Sequence, residues 1–138
     1  MEVKSPATAV SWSVMFDLDA IPFRATKWPG VSIHFLESDR ASGYAAVLIR
    51  MEPGSRYPGH RHTDSEEVFV LRGCYADAAG RYPAGSFVRY AAGTAHRPFC
   101  PAEAGAGAEA EAGSAMSEPC IFFAIARAGI EVFEAAPS

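Results

Sequence analysis

The chain lacks the features that define several large functional classes. Its three cysteines, Cys74, Cys100 and Cys120, are odd in number and have no C-x2-C spacing. That argues against a disulfide framework and a thiolate zinc site, and leaves free, mostly buried thiols as the expectation. No apolar run is long enough to span a bilayer. The start, MEVKSPATAV, has no basic segment leading into a continuous apolar core, so the reading is of a cytoplasmic protein. Basic charge is not in excess either, because the net charge is −4. Four glutamates, Glu103, Glu109, Glu111 and Glu118, fall in residues 101–119; without them, acidic and basic residues balance at twelve each. Neither nucleic acid nor an anionic membrane surface is therefore an expected partner. Convincing helical periodicity is missing throughout.

The chain is instead rich in alternating apolar stretches. With 138 residues, 49% of them apolar, it is long enough for one domain burying roughly two-thirds of its unfolded surface. Residues 8–19 alternate through Val10, Trp12, Val14 and Phe16, predicting a strand or an arm packed on a sheet. A turn at Pro29 and Gly30 precedes VSIHFLES, with Val31, Ile33 and Phe35 on one side and His34 on the other. Residues 44–51 form an apolar strand in which Arg50 reads as a solvated arginine at a sheet edge. Residues 66–75 place Val68 and Val70 on one face and Glu67, Phe69 and Leu71 on the opposite one. CIFFAIA and GIEVFEA close the chain as strands. Residues 101–119, rich in Ala, Gly and Glu, read as a mobile insertion between two strands. The whole is a single all-β domain, 1–138, with an N-terminal arm at 1–28.

Within this pattern, GSRYPGHRHTDSEEVFVLRG (54–73) carries the chemistry. His60 and His62 are two apart, so in an extended strand both imidazoles leave the same face. Glu66 keeps that parity across the short bend of Thr63, Asp64 and Ser65. The flanking Gly54 and Gly73 stand where turns need a positive φ or a close backbone approach. An HxH pair alone is more often free of metal, but the glutamate and the two glycines shift the balance toward a metal site. Further on, GRYPAGSFVRYAAGTAHRPF supplies Gly85, Gly93 and then His96, a better fourth ligand than His34 in its upstream strand.

These two stretches resemble the two motifs of the cupin superfamily, small antiparallel β-barrels or jelly rolls that hold a metal with three histidines and a glutamate. The first motif is complete in spacing. The second departs from the family pattern at Ala91, usually Pro, and at Cys100, usually Asn. From about Pro29 to Ala126 the chain is similar more narrowly to ChrR-type cupins, a group that includes the sensor half of an anti-sigma factor and relatives of the acetylacetone-cleaving dioxygenase. The resemblance implies one divalent ion, Fe, Zn, Mn or Ni, held by His60, His62, Glu66 and His96, and a homodimer, for which an exposed Phe69 and Leu71 would serve.

Three functions stay open on this reading. One is a non-haem metal-dependent dioxygenase acting on a small dicarbonyl or hydroxy-ketone, with Tyr57, Phe87, Phe99 and Phe122 as candidate pocket walls. Against it, the diketone-cleaving relatives use three histidines without a carboxylate. A second is a zinc-binding sensor like the ChrR domain, although the helical segment that grips a sigma factor is not recognisable here. The third is a cupin whose metal is only structural. In each case a protonated imidazole cannot coordinate, so binding is expected to fail below the ordinary histidine pKa of about 6.5.

Overall fold

A computed structural model describes residues 17–103 and 118–134. The expected N-terminal strand mostly lies outside them. Of its last residues Asp17 is extended, and its side chain accepts from the Asp19 amide and caps a short 3-10 turn, Leu18–Ala20, so residues 18 and 19 are not strand. Most of the Ala/Gly/Glu-rich insertion, 104–117, also lies outside the described residues.

The remaining alternating stretches pair as antiparallel strands: β1 (Arg24–Ala25), β2 (Val31–Asp39), β3 (Tyr44–Met51), β4 (His60–His62), β5 (Glu66–Arg72), β6 (Cys74–Asp77), β7 (Gly80–Pro83), β8 (Phe87–Tyr90), β9 (Ala95–His96), β10 (Cys120–Ala126) and β11 (Ile130–Val132). Six of them form one sheet in the order β1-β2-β3-β10-β5-β8, three form a second, β11-β4-β9, and β6 pairs with β7. The most continuously apolar strands, β3 and β10, lie at the centre of the large sheet, where a strand has neighbours on both edges and a side chain on either face finds cover. Among the described residues the hydrogen bonding does not close the sheets on themselves. The expected all-β architecture is thus realised as a jelly roll rather than a continuous barrel.

Two sequence expectations are corrected. Arg50 is not at a sheet edge, because β3 is flanked by β2 and β10; its guanidinium instead pairs with Glu52 at 2.8 Å on the solvent side. The strand expected over 66–75 breaks at Gly73, whose φ of 74° turns the chain from β5 into β6. A Cβ there would also drive into the Pro119 carbonyl, so the position needs glycine for both conformation and space.

The core lies between the two larger sheets. Val47, Ile49, Met51, Val68, Val70 and Phe122 point into it and are nearly inaccessible, each contributing roughly 1.5–3 kcal/mol of burial. Because Val68 and Val70 face inward, Phe69 between them faces out and is 41% exposed, as the alternation predicts.

Candidate metal centre

His60 and His62 leave β4 on its buried face, and Arg61 between them is exposed. β9 pairs with β4 so that His96 stands directly opposite His60. The backbone locks this register from both sides of the turn: the His62 amide donates to the Thr94 carbonyl and the Gly93 amide donates to the His62 carbonyl, both at 2.8 Å. Gly93 takes a φ of 89° to make that turn. The three imidazoles meet with ring centroids 4.8 to 4.9 Å apart.

Each of these rings spends its Nδ1 elsewhere. His60 Nδ1 lies 2.8 Å from the Pro58 carbonyl, which can only accept. His62 Nδ1 lies 3.0 Å from Thr94 Oγ1, whose own proton goes to the Ala91 carbonyl at 2.7 Å. His96 Nδ1 lies 2.9 Å from a carboxylate oxygen of Asp77. Three acceptors therefore hold all three rings as Nδ1–H tautomers, and the Nε2 lone pairs are left for the centre. The ligand atoms of the three histidines lie within 4.8 Å of one another. Around an ion with bonds of about 2.1 Å they would be about 3–3.5 Å apart, so a contraction of an ångström or so completes the triad.

Glu66, at the start of β5, brings its Oε1 to 3.2 Å from His62 Nε2. This contact is short enough for a hydrogen bond but is not one, since both atoms are buried and without a hydrogen-bond partner. With His62 protonated at Nδ1, two lone pairs on buried atoms face each other. Such an arrangement costs free energy unless a cation stands beside both. The residues present thus fit a divalent metal: three neutral imidazoles and one carboxylate, a donor set that suits late divalent ions.

The electrostatics favour the coordinating form of His60 and His96. Burial pushes the His60 imidazole down to about 4, against the opposing pull of the Pro58 carbonyl. Burial also lowers His96, although Asp77 supports its protonation. For Asp77 burial acts upward, but the hydrogen bonds from His96, the Ala79 amide and Tyr90 together hold its carboxyl below the ordinary value. Burial first, then the charge of Glu66, raises the Tyr57 phenol to about 12, so it remains a hydroxyl at neutral pH.

A cavity of about 140 Å³ opens beside the histidines. Its walls are Ile33, Val47, Ile49 and Phe122 from the large sheet, and its polar edge is Tyr57, Tyr75 and Glu66 with the rings of His60 and His96. Neither lysine nor arginine lines it among the described residues. Of the four aromatics expected to form its walls, Tyr57 and Phe122 do. Phe87 does not, because at the start of β8 it shares the outer face with Phe69 and is 63% exposed. Phe99 is drawn away by backbone bridges to Arg56 and Ala76. His34 pairs across to Leu48 on β3, away from the histidine cluster.

Sequence reasoning missed the residues that support the ligands. Asp77 reads as the start of an ordinary turn and Thr94 only as a neighbour of the turn glycine Gly93; the fold brings them to His96 and His62. Glu134 is a third case. Its carboxylate accepts from the Gly59 amide at 2.7 Å and from Arg97 Nε at 2.6 Å, tying the chain after β11 to the residues that flank the two histidine-bearing strands.

The fold has counterparts among solved structures. An RmlC-like cupin from Ralstonia eutropha JMP134 superposes with a TM-score of 0.67 at 21% identity, over 91% of this chain and 75% of that one. The complex of Rhodobacter sphaeroides SigE with the anti-sigma ChrR gives 0.61 at 22% identity, over 80% and 50%. An acetylacetone dioxygenase from Acinetobacter johnsonii gives 0.65 at 14% identity, over 88% and 77%. The match to a further cupin-like protein of Ralstonia eutropha spans only 59% of that chain, so this chain covers little more than half of some of its structural relatives. No curated protein matches the sequence. A family model, the ChrR cupin-like domain, matches residues 11–106, most of the chain and both histidine motifs, and the protein belongs to that family.

Proposed function

We propose that the protein is a metal-dependent cupin in which His60, His62, Glu66 and His96 hold one divalent ion, and that it acts as a dioxygenase on a small dicarbonyl or hydroxy-ketone. The observation that carries the metal reading is the pair of facing, buried, unpartnered atoms His62 Nε2 and Glu66 Oε1. When bound, such an ion supplies a Lewis acid for a chelating substrate and, if it is redox-active, a centre for oxygen chemistry.

The chain's own residues do the rest. The three Nδ1 acceptors aim the imidazoles before substrate arrives, so little reorganisation is left for the reaction. The apolar walls accept a short hydrocarbon substituent and exclude water from it, and the scarcity of cations disfavours phosphorylated or multiply anionic substrates. Tyr57, kept protonated, offers a hydroxyl to a substrate oxygen at the cavity edge. Glu66 serves as fourth ligand, or as the acceptor of a proton released when a dicarbonyl enolises. A volume of about 140 Å³ suits a molecule of benzene size.

The buried carboxylate of Glu66 favours a second reading. Four donors around tetrahedral zinc leave no open position, and a closed site of that kind suits a sensor or regulatory cupin. The two readings separate in one experiment: elemental analysis of protein purified without added metal, followed by oxygen-electrode assays on dicarbonyl substrates after iron loading. Iron with substrate-dependent oxygen uptake supports the dioxygenase. Tightly held zinc, with no uptake after exchange to iron, supports the sensor. Metal content unchanged in His60→Ala would end both.

In either case the protein is expected to act as a homodimer. The exposed side chains of Phe69 and Phe87 are cross-strand neighbours on the outer face of the large sheet, and Phe123 continues the row. A second copy packed there would cover them.

A further inference from the structure

We infer that Asp77 is a positioning residue for the metal centre: by accepting from His96 Nδ1 it fixes the tautomer that presents Nε2, and Tyr90 and Tyr75 extend the same hydrogen-bond chain to the cavity wall. The inference deepens the metal reading above and rests on it for its consequence in binding, but the tautomer itself can be tested without metal.

Asp77 closes β6, and its side chain is 3% exposed. Both carboxylate oxygens are committed. Oδ1 accepts from the Ala79 amide at 2.9 Å. Oδ2 accepts from His96 Nδ1 at 2.9 Å and from the Tyr90 hydroxyl at 3.0 Å. Tyr90 also lies 3.1 Å from the Tyr75 hydroxyl. Since Tyr90 has one proton and the carboxylate is the stronger acceptor, Tyr90 donates to Asp77 and accepts from Tyr75. The chain therefore runs in one direction: Tyr75 O–H to Tyr90, Tyr90 O–H to Asp77, His96 N–H to Asp77. Tyr75 lines the cavity, so the chain ends at the cavity wall. Tyr90 is held in turn by its ring, stacked on His62 with centroids 4.8 Å apart and planes 17° from parallel. One network thus joins two of the three histidines to the cavity wall.

No neutral side chain of the same shape satisfies this arrangement. In Asp77→Asn the amide nitrogen must replace one of the two oxygens. At Oδ1 it would meet the Ala79 N–H, donor against donor. At Oδ2 it would meet Tyr90 and His96, and His96 could relieve the conflict only by moving its proton to Nε2. The nitrogen facing the centre would then carry a hydrogen and could not bind a cation. Carboxylate support of this kind is generally worth 10–100-fold in metal affinity.

The test uses ¹⁵N-histidine NMR on the metal-free full chain, together with zinc titration against a chromophoric chelator. Wild-type His96 is expected as the Nδ1–H tautomer and Asp77→Asn as Nε2–H, with zinc affinity reduced 10–100-fold and a cooperative thermal transition retained. Tyr90→Phe keeps the carboxylate and the ring stacking; it should keep Nδ1–H and lose less than threefold in affinity, which a general loss of packing would not reproduce. Wild-type His96 found as Nε2–H overturns the inference, and this result needs no variant to fold. Asp77→Asn that binds zinc as tightly as wild type also overturns it. Should wild type bind no metal while His96 is Nδ1–H and switches in the variant, the metal function fails and the positioning role of Asp77 stands.

Discussion

The finest scale at which this protein makes sense is the single nitrogen atom. Each of three histidines has one nitrogen engaged by an acceptor and the other left toward a common point, and a carboxylate lies beside one of them without a proton between. Removing that conflict has opposite effects on two properties. In Glu66→Gln the amide can donate to His62 Nε2, so the metal-free protein should gain about 1 kcal/mol in urea denaturation while its metal affinity falls; a variant that loses stability without metal would contradict the assignment. The pH dependence follows from the same burial. His60 is held at about 4 in the fold against about 6.5 in the unfolded chain. A lowered histidine pKa means that the unfolded state takes up the proton first. Its stabilising contribution is complete above pH 6.5 and is lost as pH falls toward 4. Metal-free protein should therefore lose on the order of 2 kcal/mol between pH 7 and pH 5, measured by denaturant titration at both values. The same shift moves metal loss to lower pH than the ordinary histidine value suggests, because the folded site stays unprotonated longer.

Strands and turns carry these atoms into place, and here sequence and structure agree unevenly. The HxH spacing is legible because a strand repeats every two residues: His60 and His62 had to share a face once β4 was extended, and Val68, Phe69 and Val70 had to alternate. Gly73 was legible as a glycine needing a positive φ or a close approach, but that it ends the strand expected over 66–75 is visible only when the Pro119 carbonyl closes over it. Gly73→Ala should cost roughly 2 kcal/mol from backbone strain and crowding together, seen as a lower thermal midpoint. An unchanged midpoint would mean that this turn can relax, and that β5 and β6 are not held apart by it. Phe87 and Phe99 illustrate the limit of residue type as a guide. Both have the composition of a pocket wall, but one lies on the outer face of β8 and the other is held by backbone bridges elsewhere.

At the level of the whole molecule, the two larger sheets enclose the cavity and leave an apolar row, Phe69, Phe87 and Phe123, on the outside of the six-stranded one. If that row is where two copies meet, Phe87→Glu should convert dimer to monomer in sedimentation equilibrium at unchanged metal content. A wild-type protein that is monomeric at every concentration tested would remove the interface but not the metal site. The two properties are separable because the row and the histidines lie on opposite faces of the structure.

Period-two alternation was enough, by itself, to determine an all-β fold and to set His60 and His62 on one face, because both depend on local geometry that every extended chain shares; Glu66 and His96 were added by motif spacing and the resemblance it carries. The partners of those residues were decided only by the tertiary structure. Asp77 and His96, Thr94 and His62, Glu134 and Gly59 are joined by strand register and not by proximity along the chain. A hydrogen bond across two strands depends on which residues the sheet sets opposite one another, and alternation alone does not specify that.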